Sequence, residues 1–320
     1  MPSRASGVVR VAWTPARSAA SENPPVDADG AAYRSWMEPV RFDHYLAGVV
    51  GLGLMRHWYA NGDVNATRMA ELADILAKAD ESTHSFEVTP VERSVDHGYA
   101  EWAATYDAPN PMISLEERVV VPVLERLAGP GRRALDAACG TGRHARLLDA
   151  CGCVTTGIDQ SPEMLDVARR KVPTAVFEVG DVEHLPFDDG AFDLAVVSLA
   201  LCHLPDPTVA VAELARVLAT GGTLVVSDPH PMGGVLGGHA FYGGVGPGRT
   251  LSFVRNHRHS ASTWLRAFSG AGLEVVDCVE EPFTDEQIAS DPSAAFHPEA
   301  LRAAAIGLPS VWIWELRRQG

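Results

Sequence analysis

The 320-residue sequence predicts an α/β fold: a doubly wound, seven-stranded, mostly parallel sheet preceded by an N-terminal helical subdomain. Three observations carry this reading. From residue 133 onward, short apolar runs alternate with amphipathic stretches of helical period. A glycine-rich turn, Asp136-Ala-Ala-Cys-Gly140-Thr-Gly142, joins the first run to the helical stretch behind it. Helix entries and exits are punctuated, by Ser161-Pro162-Glu163 at one start and by Gly221-Gly222 beyond one end.

Residues 1–32 are rich in Ala, Ser, Pro and Arg without an apolar period, and are expected to form a flexible tail. Residues 34–58 carry Trp36, Val40, Tyr45, Leu46, Val49 and Val50 at helical spacing, with a wide apolar face. A second amphipathic stretch holds Met69, Leu72, Ile75 and Leu76, and residues 80–95 read as a polar linker. The arm 33–95 therefore has more apolar positions than one helix face hides. It suits a homodimer contact through the N-terminal helices or a wall over a site. Helices are predicted over 97–107, stopped by Pro109 and Pro111, and over 114–127. Strands are predicted at 133–136, 153–158, 175–179, 193–198, 222–227, 273–279 and 310–316, with helices at 142–151, 161–171 and 207–219. Residues 96–320 form the main domain, with a lid inserted at about 229–262, beyond the fifth strand.

Composition narrows the function. Apolar residues make up 46% and charged residues 21%, which is enough for a folded core. A net charge of −15 disfavours a nucleic-acid partner and favours a small or cationic substrate. Five cysteines, an odd number, and the lack of a signal-peptide pattern point to reduced thiols in the cytoplasm. Cys151-Gly-Cys153 has no second pair at zinc spacing, so no metal is expected. No apolar run reaches ~18 residues, so no membrane span is expected.

The glycine turn offers bare backbone and free N–H groups to a ligand. Gly140, Gly142 and Ala145 satisfy G-x-G-x-x-A, the dinucleotide fingerprint, and Asp159 is spaced to bind ribose hydroxyls. Asp136, however, stands where a dinucleotide fold needs a glycine. Its carboxylate would repel a diphosphate but hold an ammonium, which favours a nucleoside carrying an amino acid.

Four further segments follow in order: Gly157-Ile-Asp159-Gln-Ser-Pro-Glu-Met164, Gly180-Asp181-Val182, Phe192 to His203, and Arg216 to Leu224. With the glycine turn they make residues 97–228 resemble the class I S-adenosylmethionine-dependent methyltransferases. The likeness is to the small-molecule branch that includes ubiquinone/menaquinone-type enzymes, and the chain resembles its actinobacterial type. Ala138 replaces the family's first glycine. The resemblance implies a Rossmann-like methyltransferase fold, S-adenosylmethionine as cofactor, and a small-molecule acceptor methylated on carbon, oxygen or an amine. It implies that Asp136 and the backbone through Ala138, Gly140 and Gly142 hold the methionine end, with Arg143 on its carboxylate. Asp159, with Gln160 beside it, would bind the ribose. Met164, Asp181 and Val182 would hold the adenine, and Ser198 and Leu199 would lie next to the sulfonium. Tyr99 and Tyr106 would cover the methionine moiety.

Acceptor chemistry is expected from the lid, which carries His230, His239, His257 and His259. Histidine has the pKa suited to a base near neutrality, and His257 and His230 are the preferred candidates. Two rival readings are an NAD(P)-dependent oxidoreductase on the same sheet, for which no Tyr-x-x-x-Lys couple is found, and a cofactor-binding protein or cyclase that transfers no methyl group.

Overall fold

The computed structural model describes residues 39–59, 62–79, 81, 86–244 and 249–320, so the tail expected at 1–32 lies outside the described residues. The described chain opens with β1 (Val40–Arg41), α1 (Phe42–His57), α2 (Gly62–Ala77), β2 (Glu87–Val88) and β3 (Val91–Arg93). The stretch expected to be a linker thus contains two short strands. β2 pairs with β1, and β3 pairs with a strand of the lid. Next come α3 (Val95–Trp102) and α4 (Pro111–Leu127). Pro111 does not stop a helix but begins one: Asn110 caps α4 by accepting from the Met112 N–H, and proline is tolerated at the first helical position.

The βα series then runs β4 (Arg133–Ala137), α5 (Arg143–Ala150), β5 (Val154–Asp159), α6 (Pro162–Lys171), β6 (Val176–Val179), β7 (Phe192–Ser198), α7 (Thr208–Val217) and β8 (Leu218–Pro229). The segment expected to be a lid contributes α8 (Pro231–Val235), β9 (Ala240–Gly243) and β10 (Leu251–Val254). The chain closes with α9 (Ala261–Gly270), β11 (Leu273–Pro282), α10 (Asp285–Ser290), α11 (Pro298–Ala305) and β12 (Pro309–Arg318). Seven strands form the main sheet in the order β11-β12-β8-β7-β4-β5-β6, and only β12 runs against the rest. β8 begins earlier than expected and carries Gly221 and Gly222 inside it, where its register with β7 shifts.

The inner strands read as unbroken apolar runs because both faces are covered. Leu194 to Val197 and Leu224 to Val226 are fully buried. One face packs on Leu214, Trp264 and Phe268 of α7 and α9, and the other on Leu115, Val120 and Leu124 of α4. A sheet sealed on both faces can offer polar chemistry only at its ends. Loops leaving β4, β5, β7 and β8 all open on the C-terminal rim. Above that rim a second, three-stranded sheet, β3-β10-β9, ties the lid to the N-terminal segment. No helix among the described residues is long and apolar enough to cross a membrane.

Candidate active site

The C-terminal rim holds a cavity of about 360 Å³. Ala138 and Gly140 line it from the turn after β4, Asp159 and Gln160 from the end of β5, and Met164 from α6. Asp181 and Val182 line it beyond β6, Ser198 and Leu199 at the end of β7, and Tyr99 and Tyr106 at and beyond α3. These eleven sequence-predicted residues are brought together. Ala138 (φ 50°) and Leu199 (φ 54°) are both in the left-handed region, which costs a residue with a Cβ roughly 1–2 kcal/mol. Both strained residues sit where a strand ends at this cavity. Gly140 has positive φ, and a Cβ there would meet nothing within 4 Å, so its backbone lies open to the cavity.

Asp159 is set in place by two backbone donors, Ser161 N–H to Oδ1 at 2.9 Å and Gly140 N–H to Oδ2 at 2.8 Å. Burial raises its carboxyl pKa, and the two N–H groups work against that rise. Asp181 accepts from the Glu183 N–H at 2.9 Å. The Ser198 hydroxyl is buried and has no hydrogen-bond partner among the described residues. Burial also lifts the phenol of Tyr106 to about 12 and that of Tyr99 well above its ordinary value, so both stay protonated.

Three expected residues do not reach this cavity. Asp136 is 2% exposed, and its Oδ2 accepts the Ala145 N–H at 2.7 Å, so it caps the first turn of α5 instead of meeting an ammonium. Burial raises its pKa to about 6. Gly142 serves packing: a Cβ there would lie 3.1 Å from Ala168 Cβ, and its φ is 76°. Arg143 turns away to the fully buried Glu116, with Nη1 2.6 Å from Oε2. Glu116 Oε1 accepts from Ser227 Oγ at 2.7 Å and lies 3.4 Å from His144 Nε2. Burial would push the Glu116 carboxyl up, but Arg143 and then His144 outweigh it and hold the group far below the usual carboxylate range.

A second, larger chamber of about 880 Å³ shares Tyr99, Tyr106, Leu199 and His203 with the first. His230, His239 and His257 line it. Two of these rings are already engaged. His230 Nδ1 accepts from the Met232 N–H at 3.2 Å while Nε2 lies 3.3 Å from Glu280, and His239 Nδ1 accepts from the Asn256 N–H at 3.1 Å. His257 donates its backbone N–H to Cys202 O, and burial, then His259 and Arg255, lower its ring pKa. His259 is buried elsewhere, with Nε2 3.3 Å from Leu201 O.

Sequence reasoning missed His203, which stands at the junction. Its Nδ1 lies 2.9 Å from the Arg255 carbonyl, which can only accept, so the proton is on Nδ1. Nε2 is then the acceptor for the Tyr99 hydroxyl at 2.7 Å. Burial lowers the ring pKa, the Arg255 carbonyl opposes that, and His257 and His239 add to it, so the ring is neutral near pH 7. The available signal was the position of His203, a single short turn after a strand that ends on the cavity rim. Among the described residues no group of three His, Cys, Asp or Glu side chains is arranged to hold a metal ion.

A family model described as a methyltransferase domain matches residues 135–226. The demethylmenaquinone methyltransferase of Renibacterium salmoninarum is 37% identical over 135 residues, which is 40% of this chain and 56% of that protein. The enzyme of the same name from Thermus thermophilus is 38% identical over 152 residues, 43% of this chain and 68% of that protein. The chain spans about half the length of several curated relatives that it matches. Among solved structures, a chain of the complex between the Haloferax volcanii Trm112 methyltransferase activator and its methyltransferase superposes with a TM-score of 0.52 at 22% identity. That match covers 71% of this chain and 99% of that one, and it shows the fold.

Removing the buried carboxylate should expose how much the rim rests on it. Glu116→Gln takes from Arg143 its nearest and only buried counter-charge, leaving the more exposed Glu117 Oε1 at 3.4 Å, and should lower unfolding free energy by ~3–5 kcal/mol near pH 7. Because the folded-state pKa of Glu116 is depressed, its contribution is present above its ordinary value of 4.5 and is lost as pH falls through the folded value. The gap between wild type and variant in urea unfolding should therefore narrow in strong acid. A gap that is the same at pH 7 and pH 3 would contradict this assignment.

Proposed function

We propose that this chain transfers the methyl group of S-adenosylmethionine to a small-molecule acceptor, proceeding from the fact that it belongs to the class I S-adenosylmethionine-dependent methyltransferases. One observation carries the reading: two cavities meet at a neck formed by Tyr99, Tyr106, Leu199 and His203. The smaller is polar at its far end and fits a nucleoside, and the larger opens beneath the lid. When bound, the cofactor supplies an activated sulfonium methyl, which leaves alignment and exclusion of water to the protein.

The residues of the smaller cavity suit that group. Asp159, held by two backbone donors, keeps lone pairs for ribose hydroxyls. Asp181 and Val182 with Met164 frame the adenine end. The open backbone at Gly140 and the unpartnered Ser198 hydroxyl suit the amino-acid end. Tyr99 and Tyr106 close the neck over it. If the acceptor must lose a proton, His203 Nε2 is the base through Tyr99, whose oxygen takes the acceptor's proton as its own hydroxyl proton passes to Nε2, because the ring's tautomer is fixed and the ring is neutral. His257, on the chamber wall, orients the acceptor. His230 is a weaker candidate, since it lines the larger chamber alone and its Nε2 lies 3.3 Å from Glu280. The five cysteines, none of them in a disulfide, agree with a cytoplasmic setting.

The N-terminal helices support a homodimer. α1 buries Phe42, Leu46 and Val50 within the chain, yet Met55, Trp58, Tyr59, Met69 and Leu76 are between 56% and 86% exposed around the α1–α2 turn and along α2. Light scattering should report twice the chain mass of 34.2 kDa, and Trp58→Glu should return it to one. A wild-type monomer at micromolar concentration would end this reading.

Calorimetry should detect S-adenosylhomocysteine binding and none of NAD. Asp159→Ala should weaken the former by ~1–3 kcal/mol through loss of charge-assisted hydrogen bonds. Binding of NAD with no response to S-adenosylhomocysteine would sink the proposal.

His203→Gln should keep cofactor affinity and lower kcat by ~100-fold or more. The wild-type kcat profile should fall on its acid side below 6.5, since protonation of a ring whose pKa is lowered removes the base. Unchanged turnover by His203→Gln would move the role to His257.

A further inference from the structure

The larger chamber lies near the upper end of the ~300–1,000 Å³ range of small-molecule sites, and it is roofed by parts of the chain outside the matched core. α1 and α11 form that roof. They are locked together: a Cβ on Gly53 of α1 would sit 3.3 Å from Ala303 Cβ and 3.4 Å from the Ala300 carbonyl of α11. Arg56 of α1 then satisfies the carbonyls at the end of α11, donating to Ala304 O at 2.8 Å and Ile306 O at 3.0 Å. The roof is therefore a fixed wall, and its inner surface is apolar, with Phe42, Val49, Leu52 and Leu301 facing the chamber.

The polar groups of the wall are distributed unevenly. Arg41 is held by Asp43 at 3.0 and 2.8 Å, and Asp291 accepts from Tyr45 and Ser293, so these two charges serve the wall itself, while Arg258 is a further cation of the lining. The groups suited to chemistry, Tyr99, His203, His257 and Asn256, gather around and beside the neck. Gly48 is the complementary feature. It lies inside α1 on the chamber wall, and a Cβ there would meet nothing within 4 Å. Glycine inside a helix costs about 1 kcal/mol relative to alanine, and here no close packing demands it. Its effect is to leave the roof bare.

We propose that the acceptor is a bulky, predominantly apolar molecule with one reactive polar group, its body under α1 and α11 and its polar group at the neck, and that Gly48 sets the size admitted. The word acceptor rests on the methyl-transfer reading; the ligand class rests on the chamber alone. The probes are 4-butylphenol, 4-octylphenol and the anionic 4-hydroxybenzoate, titrated calorimetrically into the full chain with S-adenosylhomocysteine present. Affinity should rise about threefold for each methylene added, so that 4-octylphenol binds at least 20-fold more tightly than 4-butylphenol. Gly48→Phe should weaken 4-octylphenol at least tenfold while leaving S-adenosylhomocysteine affinity unchanged. Gly48→Leu, with a smaller side chain, covers the case in which phenylalanine disturbs folding. Equal affinity for the two alkylphenols, preference for 4-hydroxybenzoate, or full 4-octylphenol affinity in both Gly48 variants would overturn the proposal. Loss of all S-adenosylhomocysteine binding with the alkylphenol series intact would instead overturn the methyl-transfer reading and leave the ligand class standing.

Discussion

The rim of the sheet depends on one buried carboxylate. Glu116 projects from α4, yet its three partners come from two other places: Arg143 and His144 at the start of α5, and Ser227 near the end of β8. An ion pair so deep repays its desolvation only when the remaining lone pairs are also satisfied. Here one oxygen takes the guanidinium and the other takes a hydroxyl. That geometry fixes where α5 begins, and with it the turn that carries Gly140 to the cavity. Asp136 completes the arrangement from below by holding the Ala145 N–H. The charges nearest the glycine turn are therefore spent on shaping the turn, and the ligand-facing surface is left to backbone and to Asp159.

That division explains the electrostatic character of the two cavities. The smaller one presents carboxylates already oriented by backbone N–H groups, a good match to hydroxyl and amino donors. The larger presents neutral imidazoles and protonated phenols, because burial lowers the histidine pKa values and raises those of the tyrosines. Neutral groups rest there without the cost of a buried charge, and a hydrogen-bonded pair of them can relay a proton. The Tyr99–His203 hydrogen bond lies at the boundary and links the two surfaces.

What the sequence revealed and what it hid divide along the range of the forces involved. The strands were legible because burial on both faces writes itself into continuous apolar runs such as Leu194 to Val197. That Gly140, Asp159 and Met164 line one cavity was legible because local turn chemistry and motif order place them. Gly142 and Arg143 stand away from the cavity, which the sequence could not show, because their environment comes from afar: Ala168 closes over the one, and Glu116, 27 residues earlier, draws off the other. His203 was passed over for the same reason. Tyr99 precedes it by 104 residues and the Arg255 carbonyl follows it by 52, so nothing in its neighbourhood announces the bonds that fix its tautomer. The segment at 80–95 looked like a linker because strands of two or three residues have no period to read, and their pairing partners lie in β1 and in the lid.

The second sheet adds a coupling between segments distant in sequence. β10 pairs with β9 on one side and with β3 on the other, so the lid cannot shift without pulling on the segment that leads into α3. Gly98 of α3 lies so close to β10 that a Cβ would sit 2.4 Å from Val254 Cγ2, and Arg255, the next residue, is clamped to Glu92 by two 2.6 Å bonds. The Arg255 carbonyl is also the one that fixes the His203 tautomer. The position of Tyr99 on α3 and the proton arrangement on His203 are thus set by the same short sheet. Lid and neck form one mechanical unit, in which the element covering the chamber also orients the groups at its reacting end.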